Sequence, residues 1–134
     1  MIHEIWGWKG TFDFYLEDLS TGDIEQYHYP NAITSAGVQH VLNMMVGDEI
    51  REFDTLILEN EAGTETASKT IIPEVLTGKL RSTVLFDHTE ANFHIQRAQL
   101  WADTVKIAET TTDIVKTNKQ SLTIVRTDTL KGAI

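Results

Sequence analysis

One stretch alone, Tyr29 to Gly47, carries a helical period, and the chain on both sides of it reads as extended strand. Within it Val38, Val41, Leu42 and Met45 fall at i, i+3, i+4 and i+7, which sets one apolar stripe along a helix. Thr34 or Ser35 can cap the start by accepting orphan backbone N–H groups, and Gly47 can take the left-handed conformation that closes the end. The predicted helix covers about residues 35–46. A single helix of roughly three turns is marginal in water. Its stripe must therefore be covered by the flanking strands.

Those flanks are legible by period two. Phe12, Phe14 and Leu16 share one face of a strand that ends at the turn Ser20-Thr21-Gly22-Asp23, and Ile24 to Tyr29 returns as its hairpin partner. Pro30 stops that strand. Phe53 to Leu58 is a compact apolar run of buried-strand type, whereas Glu59 to Lys69 is polar and without period, the pattern of a surface loop. Ile71-Ile72-Pro73 allows only an edge strand or a short extended piece. Lys79 to Phe86 alternates with Leu80, Ser82, Val84 and Phe86 on one side, and Asp87 to Asn92 turns the chain. Phe93 to Trp101 has two mixed faces, a sign of a strand partly covered by another subunit or passing from core to rim. Val105 to Val115, the turn Thr117 to Gln120 and the strand Ser121 to Leu130 read as a closing hairpin, in a region where eight threonines between Thr104 and Thr129 suit half-exposed antiparallel strands. The expectation is one domain over residues 1–134, an antiparallel β-sandwich carrying one α-helix.

Charge narrows the partners. Twenty acidic against 11 basic residues give a formal charge of −9, and the basic ones are scattered, so no nucleic-acid partner is expected. There is no cysteine, which excludes disulfides and thiolate metal sites. No apolar run approaches the ~20 residues of a membrane span, and Met1 to Ile5 lacks the basic start of a signal peptide. A soluble protein made in the cytoplasm, with no membrane partner, is the expectation.

Chemistry is sparse. Five histidines are present, and His88 with His94, flanked by Asp87 and Glu90, is the best cation candidate, set against the alternative of solvated turn residues. Glu59, Asn60, Glu61 and Glu65 could gather oxygens around calcium but lack the ordered Asp-x-Asp-x-Asp-Gly spacing. No serine sits in a Gly-x-Ser-x-Gly elbow, and Glu17 and Asp18, adjacent on a strand, point to opposite faces. The expectation is no catalytic residue, no metal and no cofactor. Trp6 and Trp8 share a strand face and, with Trp101, make either a sugar-binding platform or interface and core filling. Trp6, Trp8, Arg97, Gln99 and Trp101, together with Glu59, Asn60 and Glu61 of the polar loop, are the candidate interface residues.

The order of signals resembles the small structural proteins of tailed bacteriophage virions. A strand, a Thr-Gly turn and a second strand open the pattern, as in Gly10-Thr11-Phe12 and Ser20-Thr21-Gly22-Asp23; an Asn, an Ile-Thr and a Gly-led helix follow, as in Asn31 to Gly37. A buried strand, a Thr-rich loop running to a Pro-Glu step (Thr64 to Glu74), a strand ending in Leu100-Trp101 and a Lys116-Thr117 turn complete it. Two departures are Glu59-Asn60-Glu61 in place of a glycine-rich step and Gln96 to Leu100 without a glycine. The resemblance implies a non-enzymatic virion component, assembling with copies of itself as a trimer or ring and with other virion proteins, in the tail as fibre, baseplate or adaptor. Its alternatives are a capsid decoration protein and a carbohydrate-binding module.

Overall fold

A computed structural model describes residues 7–49 and 52–131. Strand β1 (Gly7–Asp18) turns into β2 (Ile24–Pro30), and the short β3 (Ala32–Ile33) leads into the helix α1 (Ser35–Met45). Then come β4 (Thr55–Glu59), β5 (Thr66–Thr70), β6 (Glu74–Leu76), β7 (Lys79–Phe86), β8 (His94–Ala102), β9 (Val105–Val115) and β10 (Gln120–Lys131). All pair antiparallel, in one sheet of order β2-β1-β10-β7-β6 and a second of order β3-β9-β8-β4-β5. Among the described residues the fold is the expected β-sandwich with one helix.

Its core follows the alternation in the sequence. Phe12, Phe14 and Leu16 of β1, Leu122 and Ile124 of β10 and Val84 and Phe86 of β7 point inward from the first sheet. They meet Leu56 and Leu58 of β4, Ala98 and Leu100 of β8 and Ile114 of β9 from the second. Each fully buried Leu, Ile or Phe contributes about 1.5–3 kcal/mol relative to exposure, and these side chains together hold the sheets in contact. The β1–β2 turn closes as its composition predicts: the Asp18 carboxylate accepts from the Ser20 N–H (2.8 Å) and hydroxyl (2.6 Å), and Gly22 takes φ 77°.

The helix lies where its caps predict but is rotated from its apolar stripe. Thr34 is the N-cap, its hydroxyl oxygen accepting the Gly37 N–H at 2.8 Å. At the other end Gly47 has φ 82°, its N–H bonds the Met44 carbonyl at 3.2 Å and the Asp48 N–H bonds the Asn43 carbonyl at 2.8 Å, a Schellman closure. The buried positions are Gly37 and His40, with Val41 packed partly against the core, while Val38, Leu42 and Met45 are exposed. This overturns the expectation that the flanking strands cover the stripe. The cause is at the N-terminus, where the Thr34 N–H and hydroxyl bond the backbone carbonyls of Ile107 and Lys106 and draw the helix onto β9. Only a residue without Cβ fits at the contact: a Cβ on Gly37 would lie 2.4 Å from the Ile107 carbonyl oxygen.

Two further expectations are corrected, and a third feature of the sequence finds its local cause. First, Glu59 to Lys69 is not a loop without structure but the tip and return strand of a β4–β5 hairpin, in which the Asn60 side-chain oxygen accepts from the Thr64 and Glu65 N–H groups at 2.9 and 3.2 Å and Gly63 takes φ 71°. Second, β9 and β10 do not pair with each other: β9 lies beside β8 and β3, β10 between β1 and β7, so the last turn crosses between sheets. Third, the mixed faces of β8 arise from register shifts. Between the pairs Ile95–Ile114 and Arg97–Thr111, β8 advances two residues and β9 three, and a second shift separates Leu100 from Trp101. The inward set therefore moves from Ile95 to Ala98, Leu100 and Ala102.

Candidate interaction face

The bulged register carries Arg97, Gln99 and Trp101 to the outer face of the second sheet, beside Glu59 of β4 and Glu109 of β9. A chain of hydrogen bonds crosses the three strands there. Lys106 Nζ donates to Glu109 Oε2 at 2.6 Å, and Gln99 Nε2 donates to Glu109 Oε2 at 2.9 Å and to Glu59 Oε1 at 3.0 Å. Arg97 donates through Nε to Glu59 Oε1 at 2.7 Å and through Nη2 to the Asn60 carbonyl at 3.1 Å. The Lys106 ammonium, and after it burial partly opposing it, leaves the Glu109 carboxyl below its ordinary value of 4.5. At one corner the Glu61 N–H donates to Gln96 Oε1 at 2.8 Å.

Gln99 is the centre of this rail. Although it points away from the core it is only 6% exposed, because both amide hydrogens and its oxygen are engaged, the oxygen by Trp101 Nε1 at 2.9 Å. The half-buried Trp101 has its one polar group engaged inside the rail and leaves only carbon surface exposed. The side chains are thus fixed before anything binds, which lowers the entropy cost of recognition. Among the described residues of the rail none is a nucleophile with an adjacent base.

Six candidate interface residues, Arg97, Gln99, Trp101, Glu59, Asn60 and Glu61, are brought together in this way. Trp8 is not among them. It lies in the opposite sheet, stacked on Phe53 with ring centroids 6.0 Å apart, and donates its indole N–H to Asp128 Oδ1 at 2.9 Å. The proposed pairing of Trp6 with Trp8 lies outside the described residues.

The cation candidates do not converge on one point. His94 Nε2 is 2.5 Å from Asp113 Oδ1 on the neighbouring strand, His88 lends its backbone carbonyl to Asn92, and Asp87 and Glu90 bond within their turn or to Lys69. Glu59 faces Arg97 and Gln99 rather than Glu61 and Glu65. Among the described residues no three His, Asp or Glu side chains gather as a metal site. Among them, too, no helix is long and apolar enough to cross a membrane.

Two buried cations have partners that the sequence does not announce: alternation sets Arg126 on the face of Leu122 and Ile124, and Lys116 reads as part of a turn. Arg126, on the inward face of β10, holds Asp128 through Nη2 at 2.5 Å and Nε at 3.1 Å, bonds the Asn31 side-chain oxygen, and lies over Phe12 at 4.6 Å. Gly10 makes the room, since a Cβ there would overlap the guanidinium. Lys116 Nζ donates to the carbonyls of Asp87 and Glu90 and to Asn92 Oδ1, each at 2.7 Å. The available signal was the even spacing: Arg126 and Asp128 continue the inward series of Leu122 and Ile124. Comparison with family models, curated proteins and solved structures finds no match for this chain.

Proposed function

We propose that this protein is a non-enzymatic structural component of a tailed bacteriophage virion, acting in the tail as a fibre, baseplate or adaptor subunit that binds copies of itself and neighbouring virion proteins. The observation that carries the reading is the outer face of β4, β8 and β9, where a half-exposed tryptophan is set in a fully hydrogen-bonded rail of Arg97, Gln99, Glu59 and Glu109. A polar face whose side chains are already held by hydrogen bonds, with a half-exposed tryptophan beside them, suits a protein contact, and the resemblance of the chain to small virion proteins supplies the setting. The test is to locate the protein in purified particles by gold labelling or cryo-EM. Tens of copies at the tail support the reading, hundreds on the head replace it with the capsid decoration role, and absence from particles ends both.

The carbon face of Trp101 also supports the carbohydrate-binding alternative. Its readout is a glycan array: binding lost in Trp101→Ala with an unchanged melting curve supports a sugar ligand, and indifference to every glycan removes it. Trp8 would play no part, being committed to Phe53 and Asp128.

A further inference from the structure

The helix whose apolar stripe is left uncovered also walls a groove. Between α1 and β6 runs an apolar channel in two connected parts of about 320 and 230 Å³. Phe53, Val75 and Leu80 are common to both, Val41 and Trp8 line the first part, and Met44 and Pro73 line the second. The segments that wall it carry exposed apolar side chains: Leu42 is 46% exposed, Met45 57%, Val46 71%, Val75 79% and Ile72 88%. Apolar groups gathered in this way mark a contact surface.

Charge at the two ends says what covers it. Lys79 lies at the first part of the groove and Glu52 at the second, and among the described residues neither forms an ion pair. The other carboxylate at the first part, Asp128, is already held by Arg126 and Trp8. A groove with a free cation at one end and a free anion at the other is complementary to its own copy turned through 180°. The dyad sets each Lys79 against the other copy's Glu52. Ridge and groove belong to one helix, Val41 and Met44 lining the groove while Leu42 and Met45, about 100° further round the axis, are exposed. Two-fold apposition buries both at once, whereas a head-to-tail ring needs them on different sides of the subunit.

We infer that the α1–β6 groove is a self-association surface at which two copies of this chain pack about a two-fold axis, the Leu42–Met45 ridge of each lying over the groove of the other. The inference rests on the self-assembly part of the proposed function and names its surface. It is a different face from the Trp101 rail, so the rail stays open to other components.

Sedimentation equilibrium of the full chain from micromolar to about millimolar concentration is the test, with circular-dichroism melting of every variant. The wild type dimerises. Leu42→Glu and Met45→Glu, both at exposed positions, weaken association by tenfold or more and leave the melting curve in place, in line with the loss of a central contact. Lys79→Glu and Glu52→Lys each weaken it, and the double variant restores it because the exchanged charges pair again across the dyad. A chain monomeric throughout, or a dimer indifferent to all four substitutions, overturns the inference. Neither result bears on whether the protein is found at the tail, and absence from particles leaves the dimer measurement standing, so the two ideas fail separately.

Discussion

Arg126 and Lys116 occupy equivalent positions in the logic of the fold, although they share no sequence context. Each is nearly inaccessible, and each meets the chain where it leaves one sheet for the other: Arg126 at Asn31, between β2 and β3, and Lys116 at the turn between β7 and β8. At such a crossing the backbone leaves its ladder, and buried polar groups lose their partners. A buried cation with several donors replaces them. Removing it alone is costly, because carbonyls or a carboxylate remain in the interior. Lys116→Met is expected to cost about 2–3 kcal/mol in urea unfolding. Arg126→Met is expected to cost about 3–5 kcal/mol, and Arg126→Met with Asp128→Leu much less, because no unpaired charge is left behind. Equal losses in the single and double variants would show that packing of the stem, and not the charge, is what matters. Burial lowers the Lys116 pKa, opposed by Asp87 and Glu90, but three bonds to oxygen acceptors suit the ammonium form.

At the scale of elements, the helix and β8 show how a local pattern is overruled. The apolar stripe of α1 was readable and the helix formed where expected, yet its orientation was set by one glycine and one threonine hydroxyl touching β9. Gly37→Ala should therefore cost about 1–3 kcal/mol and push the helix off β9, while Val38→Ala, on the apolar stripe itself, should cost under about 0.5 kcal/mol. Chemical denaturation of the pair decides the matter, and the reverse order would mean that the stripe is the packed face after all. In β8 the inward positions Ile95 and Ala98 are separated by three residues, a spacing that strict alternation reads as two mixed faces. The shift depends on pairing with β9, which supplies the extra residue, and nothing within β8 announces it. Similarly the β4–β5 hairpin hid in a polar stretch because β5 lies at a sheet edge, where Thr66, Ser68 and Thr70 stay exposed and no hydrophobic alternation develops.

For the molecule as a whole, acid is the condition that tests the carboxylates. The Ser20 hydroxyl and N–H hold Asp18 below its ordinary 3.8, Thr89 does the same for Asp87, Lys69 holds Glu90 below 4.5, and Lys106 holds Glu109 below 4.5. A carboxylate depressed by folding stabilises the native state fully above its unfolded pKa, and that contribution is lost as pH falls through the folded value. The urea midpoint should thus be flat from pH 7 to about 5 and fall progressively below about 4.5, as these four groups protonate. Asp87→Asn and Glu90→Gln together should blunt the acid limb. An unchanged slope would assign acid sensitivity to other groups. The long ladder of β1 with β10, whose register runs from Gly7–Lys131 to Asp18–Gln120, joins the two ends of the described chain, so sequence-distant pairing completes the first sheet.

By itself the sequence determined the strands with clean alternation, the capped helix over residues 35–46, the first hairpin and the sandwich class, because period, caps and turn residues act between positions only a few apart. It also singled out Arg97, Gln99, Trp101 and the Glu59–Glu61 segment, with Trp6 and Trp8, as candidate interface residues. Tertiary structure alone decided that the first six of these meet in one rail, that the helix turns its stripe outward beside a groove, that β9 and β10 part into different sheets, and which partners Arg126 and Lys116 meet. Each of those outcomes depends on what another strand, tens of residues away, places opposite: a carbonyl for Thr34, an extra residue facing β8, a crossing backbone in need of a cation. Local pattern says which way a side chain alternates, and only pairing across the fold says what it meets.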